Sequence, residues 1–385
     1  MVIFGSTMVD LAKVYAVDVS LVSSMMLANN VGYMIGTLAG WTYRWINRQL
    51  ALIFATLLMA TTIFILPYCP AIWIAYVVYF LNGLGFGIYG SSSAIWFIDM
   101  WPKGGTTAVL LGSQLIYGLG SIFTPTMVAH FVFGESNQTA SGEWLDISLR
   151  RSYLVIPYWI TAAIQTLPSI LLLVLYFIWP WSKRRHSPAL SPDSLATDNQ
   201  TSASGSHIKH RNLKLTLSIL CFSVYFTAET GYLPYATTMW QYSEIALSAA
   251  EANHVAAILA TTYTTGPIIT AAFSIWITID SIITFQYGFL AGGCAMLFFG
   301  RDNRLAIYIG SAIIGYGMSS MIPSLISFSD RHFRLGNRSN AINSFGSGLI
   351  SLAIPLLVAG QLREHPLILL AVTATFFGDC FTQIR

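Results

Sequence analysis

Glu229 is the residue whose chemistry most needs a reason. It stands in Cys221-Phe-Ser-Val-Tyr225-Phe-Thr-Ala-Glu229-Thr-Gly-Tyr232, inside an apolar stretch that begins at Leu213. Roughly sixteen residues of helix at ~1.5 Å each carry it close to the middle of a bilayer. A carboxyl there costs at least ~2.5 kcal/mol unless it is partnered, hydrated or protonated. Tyr225, Glu229 and Tyr232 follow an i, i+4, i+7 spacing and share one helix face. A strong acceptor flanked by two phenols suits solute hydroxyls, and equally suits a coupling sodium ion or proton. A structural Glu bonded to a neighbouring helix is the competing reading. Gln114, Tyr117 and Ser121 make a second polar stripe, Asn29, Asn30, Tyr33 and Thr37 a third, and Tyr316, Ser319 and Ser320 a fourth. Each could bind solute or serve as interhelical glue worth ~0.6 kcal/mol.

The elements that must position these residues are apolar spans. Five precede a polar stretch, at Ser20–Tyr43, Leu50–Pro67, Ala71–Ile98, Thr107–Val132 and Ser152–Pro180. Six follow it, at Leu213–Trp240, Ala250–Trp276, Ile282–Phe299, Leu305–Phe328, Ala341–Gly360 and Pro366–Arg385. Each is about long enough to cross ~30 Å of hydrocarbon as a helix. The expected organisation is a helical bundle over 1–180, a basic linker over 181–212 and a second bundle over 213–385. The linker, with Lys183-Arg184-Arg185-His186 followed by Ser, Pro, Asp, Thr and Gly, cannot bury enough apolar area to order itself. Five spans plus six is one short of the six-plus-six layout of secondary transporters. No span fits before Ser20, so the first helix is expected to be missing from the chain.

Composition sets the class. With 55% hydrophobic and 9% charged residues, the 385-residue chain cannot make an ordinary water-facing surface, and a polytopic membrane protein is the consequence. Cys69, Cys221, Cys294 and Cys380 stand apart, and the seven histidines are scattered without metal-ligand spacing. Neither an enzyme's catalytic cluster nor a metal centre is expected, nor a cofactor beyond a coupling sodium ion or proton. The expected partners are a small solute and the lipid bilayer, not nucleic acid.

Loop charge sets the orientation. With the N-terminal segment outside, loops on the cytoplasmic side carry twelve Lys or Arg and the opposite loops six. That asymmetry puts the linker and C-terminus in the cytoplasm and places Asn137-Gln138-Thr139 in an outer loop as a glycosylation site. Recurrent glycines, Gly32 and Gly36 in one span and Gly83 and Gly87 in another, mark faces on which helices can approach closely.

Several runs taken together resemble one family. Tyr225-Phe-Thr-Ala-Glu229-Thr-Gly231-Tyr232, Gly32-Tyr33-Met-Ile-Gly36, Trp101-Pro-Lys103-Gly104 and Gly118-Leu-Gly120 through Pro125 resemble the branch of the major facilitator superfamily that contains the sodium-dependent glucose transporter, the domain-containing protein 4 type. The resemblance implies an all-α fold of two six-helix bundles, here with about eleven transmembrane helices, in the plasma membrane. It also implies uptake of a hexose or similar solute, driven by sodium or protons. On this reading Glu229 takes solute hydroxyls or the coupling ion, Tyr225 and Tyr232 shape the site, and Gln114, Tyr117, Asn29, Asn30, Tyr33 and Tyr316 complete it. The loop Gly40-Trp-Thr-Tyr-Arg44-Trp-Ile-Asn47-Arg48 occupies the place of the superfamily's cytoplasmic gating loop, with Arg44 where an Asp is usual. Gly90 and Ala94 replace a polar Asp and Asn, and Gln114 a His. A carrier of another organic solute and a transport-inactive scaffold or receptor both remain open at this point.

Overall fold

The computed structural model describes the backbone of residues 2–39, 47–100, 106–136, 138, 144–178, 211–273, 276–322, 324–325 and 345–375. Among these, the side chains of 48, 94–100, 106–114, 211–219, 221, 222, 271, 272, 279 and 280 lie outside the description. Expectations for Arg44, Asn137 and the linker therefore fall outside the described residues, as do those for the side chains of Arg48 and Gln114.

The first half contains α1 (Val2–Tyr15), α2 (Val19–Thr37), α3 (Arg48–Ile65), α4 (Ile72–Met100), α5 (Thr106–Val128) and α6 (Ile147–Ile178). The second contains α7 (Arg211–Tyr242), α8 (Ala249–Phe273), α9 (Ile279–Phe299), α10 (Arg304–Ser319) and the short α11 (Ala353–Val358), with further helix at 368–375. Side-chain caps fix several starts: Asp18 accepts from Ser20 N before α2, Asn47 from Gln49 N before α3, and Asn303 from Leu305 N before α10. Asn47, one of the expected gating residues, thus serves as a helix cap. Among the described residues, four helices are long and apolar enough to cross a membrane, within Gln49–Tyr68, Ile72–Ser93, Ile147–Ile178 and Ser281–Phe299.

The segment before Ser20 corrects the sequence reading. It forms α1, buried along nearly its whole length and packed on α2, α5, α6 and α7. Its 14 residues cover about 21 Å, short of a full crossing, and Asp10 interrupts their apolar run. A search for lipid-compatible spans passes over such a segment. Protein on every side, rather than lipid, makes the helix stable.

Exposed apolar side chains line the outer faces, including Leu167, Ile170, Leu171 and Phe177 on α6 and Phe54 and Leu57 on α3. The interior holds the polar groups: Asp10, Asn29, Arg150, Glu229 and Asn253 are all buried. That inversion is what lipid demands, because polar side chains must find partners inside the bundle.

Helices α2 and α4 approach each other closely through glycine. A β-carbon on Gly83 would collide with the Asn29 carbonyl, one on Gly32 with the Phe80 carbonyl, and one on Gly87 with the Tyr33 carbonyl. These obstacles are backbone, which cannot swing aside. Gly83→Val is expected to destabilise the protein by about 3 kcal/mol or more, in the range of severe overpacking. Gly90→Ala, facing open space, should be tolerated. Thermal unfolding followed by size-exclusion chromatography in detergent checks the pair.

The two halves meet through α5 on α8, α1 on α7 and α11 on α2. Described hydrogen bonds across the joint gather toward the end carrying the α1–α2, α5–α6 and α7–α8 connections. There Tyr235 donates to Ser23 O at 2.9 Å, Ser23 to Ala359 O at 3.0 Å and Thr237 to Gly5 O at 2.9 Å.

Candidate functional site

Glu229 lies on α7, buried, with 5% of its surface exposed. Tyr263 of α8 donates to its Oε1 at 2.8 Å. Its other oxygen, Oε2, meets no hydrogen-bond partner among the described residues. Tyr225, one turn earlier, lies beside the carboxyl and donates its own hydroxyl to Met318 O at 3.0 Å on α10. Tyr117 of α5, from the opposite half, is also close enough to sense the Glu229 charge. The site is therefore a buried carboxyl with Tyr263 and Tyr225 of its own half beside it and the partly exposed Tyr117 of the other half within electrostatic reach, with one acceptor unused and no Lys or Arg paired to it among the described residues.

Proline shapes the helices around it. Tyr117 and Ser121 of α5 line a cleft with Leu233, Ala236, Ala260 and Tyr263 of the second half. Pro125 and Pro267 stand four residues after Ser121 and Tyr263. Each removes the N–H that would have bonded the earlier carbonyl, so both flanking helices present freed backbone acceptors here. Gly118 admits Thr264 against the α5 backbone, which brings α5 and α8 together at this level. The arrangement offers acceptors, phenolic donors and aromatic faces, which suits a neutral polyhydroxyl solute or a small cation.

The remaining expected residues divide by helix face. Asn30 donates to Ser351 O at 2.9 Å across the joint. Tyr33 stacks at 6.5 Å between ring centroids on Phe226 of the other half. Asn29 turns away into the first half, donating to Tyr79 O at 3.0 Å and Asn82 Oδ1 at 3.4 Å, with Asn82 bonded onward to Thr62 at 2.9 Å. Tyr232 is fully buried within the second half near Cys294, its hydroxyl without a partner among the described residues. Tyr316 packs edge-on against Phe289, 4.9 Å between ring centroids, beside a cavity lined by Ile258, Tyr308, Ile309, Ala312 and Ile313. The structure thus gathers Glu229, Tyr225 and Tyr117 at one place. Asn30 and Tyr33 lie along the joint, while Asn29, Tyr232 and Tyr316 lie within single halves.

Sequence reasoning passed over Tyr263, the direct partner of Glu229. A signal was present: Thr261-Thr-Tyr263-Thr-Thr265 is a polar run in the middle of a helix, just before Pro267. It also passed over the ion pair of Asp10 with Arg150. Arg150 Nη1 lies 2.6 Å from Asp10 Oδ1, both side chains almost wholly buried. Asp10 further accepts from the backbone N–H of Phe133 at 3.1 Å and Gly134 at 3.0 Å, and Arg150 donates to Gly134 O at 2.7 Å and to Ser136 O. Gly134 takes φ +60°, which favours glycine.

Comparison with known proteins matches this architecture. The xylose transporter XylE from E. coli, in a partially occluded inward-open conformation, superposes with a TM-score of 0.72 over 98% of this chain and 91% of its own, at 12% identity. A D-xylose-proton symporter superposes at 0.70 over 100% and 95%, also at 12% identity. In sequence, the chain is 24% identical to sodium-dependent glucose transporter 1A of Mus musculus, covering 99% of this chain and 91% of that protein. It is 21% identical to major facilitator superfamily domain-containing protein 4A of Xenopus tropicalis, covering 94% and 82%. Residues 1–355 match the Major Facilitator Superfamily. Two helical halves joined around a buried polar centre, together with that match, mean that this chain belongs to the major facilitator superfamily and is a multi-pass membrane transporter, not an enzyme.

Proposed function

We infer that the chain carries a hexose such as glucose across the plasma membrane by alternating access, coupled to sodium or protons. The carrying observation is the Glu229 carboxyl, with Oε1 held by Tyr263, which lines the cleft with Tyr117 of the other half, and Oε2 unpartnered among the described residues. A free acceptor among phenols takes two sugar hydroxyls or a dehydrated cation equally well, so solute and ion can share the centre. Gln114 stands one helical turn before Tyr117 on α5 and is assigned to the same site. Support for the solute class comes from relatives named for sodium-dependent glucose transport. Loop charge orients the protein with the linker and C-terminus in the cytoplasm, and the α1–α2 end then faces outward. Rocking of the two halves about the centre would expose it to each side in turn.

The test is uptake of labelled glucose into proteoliposomes under a sodium gradient, a proton gradient or none. Uptake raised by one gradient supports the assignment and identifies the ion; no uptake by folded, inserted protein overturns the hexose assignment. Tyr263→Phe removes the donor to Oε1 while keeping the ring. A hydrogen bond to a charged group contributes about 1.5 kcal/mol or more, so the half-saturating glucose concentration should rise about tenfold with maximal uptake little changed. Its concentration dependence beside the parent protein checks this.

A further inference from the structure

A cluster of charged groups bridges the halves at the α1–α2 end, well away from Glu229. Lys13, in the last turn of α1, lies 2.6 Å from Glu135 Oε2. Tyr242, at the end of α7 in the second half, donates to Glu135 Oε1 at 2.5 Å. Asp18, the cap of α2, accepts from Arg363 of the second half at 3.0 Å. Arg363 also lies within electrostatic reach of Glu135 and Tyr242. Five side chains thus form one network around the mouth of the joint, three from the first half and two from the second.

Glu135 does not hang on a free loop. The preceding residues, Phe133 and Gly134, are clamped by Asp10, and Arg150 ties down Gly134 and Ser136 on either side of it. The buried ion pair makes a rigid arm of residues 133–136, and the arm presents Glu135 to Tyr242. Ser20 and then Arg363 hold the Asp18 carboxyl below the usual carboxylate range. Burial opposes ionisation of Glu135, but Lys13 and Tyr242 outweigh it, and its carboxyl too sits below that range.

The geometry points to a charged latch: Asp18 with Arg363 and Glu135 with Tyr242 hold this end of the transporter shut, and both bonds break together when the halves part, leaving Lys13 on Glu135. This rests on the reading that the halves separate at this end during transport. The latch is half-exposed, so each contact is weak alone. Weak contacts suit a gate, because a strong one would trap a single state.

Distance measurement between spin labels at Leu21 and Glu364, both exposed, tests the latch without any solute. Introducing the labels through click-reactive amino acids leaves the native cysteines in place. Arg363→Glu sets like charges facing each other, and Tyr242→Phe deletes one hydroxyl and keeps the ring. Each is expected to raise the long-distance population roughly two- to fivefold over the parent, as loss of an exposed pair allows, and the two together further. Adding Asp18→Arg to Arg363→Glu should bring the short distance back. Unchanged distances in both single variants would overturn the latch, and so would failure of the double reversal to restore the parent distribution. Because the readout uses no glucose, an error in the hexose assignment leaves this outcome unaffected.

Discussion

Glu229→Gln should lower glucose uptake by roughly ten- to a hundredfold, while the protein still expresses, inserts and elutes as the parent does. Gln keeps the length and one carbonyl acceptor, so the Tyr263 bond can survive. It loses the charge and replaces the free oxygen with a donor, just where solute hydroxyls or a cation need an acceptor. Hydrogen bonds to charged groups contribute about 1.5 to 3 kcal/mol, which is the stated range in rate. Glu229→Asp withdraws the carboxyl by one methylene and should fall between the two. Initial uptake rates at low glucose, normalised to inserted protein, measure the effect. Uptake by Glu229→Gln within twofold of the parent would remove Glu229 from the mechanism.

The second large effect concerns stability. Asp10→Asn leaves the Arg150 guanidinium buried without its counter-charge, and breaking a buried pair from one side costs about 3 to 5 kcal/mol. The arm carrying Glu135 should loosen with it. Asp10→Leu together with Arg150→Met removes both charges and should recover part of the loss. Recovery stays incomplete because the N–H groups of Phe133 and Gly134 lose their acceptor. Arg301→Met, at an exposed pair 3.5 Å from Glu244, is the control and should cost less than ~1 kcal/mol. Thermal unfolding of the four proteins in one detergent gives the comparison. Equal stability of Asp10→Asn and the parent would show that the pair does not anchor residues 133–136.

Burial cost made Glu229 legible in the sequence. A carboxyl in the middle of an apolar span has few explanations, and its position along the helix follows from counting residues. Its partners were less visible, because a tyrosine in a membrane helix costs little and announces nothing. Tyr263 and Glu229 are 34 residues apart and meet only through the packing of α7 on α8. The pairing of Asp10 with Arg150 spans 140 residues, and α1 itself is too short and too polar to register as a span. Face assignment was ambiguous where polar residues adjoin. Asn29 and Asn30 point about 100° apart on a helix, so they do not address the same neighbour; Asn30 meets the second half and Asn29 meets α4. The glycine seams of α2 and α4 could be read from spacing, and their partners only from the packed helices.

Tyr117 was legible from its stripe with Gln114 and Ser121, and it matters because it belongs to the half opposite Glu229. A centre built from one half alone would be a binding pocket. On the proposed reading, a centre that shares phenols across the joint changes shape whenever the halves rock, as alternating access requires.

The most direct test of a shared centre that binds solute at Glu229 is equilibrium binding of labelled glucose to the purified transporter. The parent protein should bind saturably, Glu229→Gln at least tenfold more weakly, and Glu135→Gln, altered only in the latch, within a fewfold of the parent. Parent-like affinity in Glu229→Gln, in a protein whose folding and monodispersity are intact, would contradict the account and place the solute elsewhere.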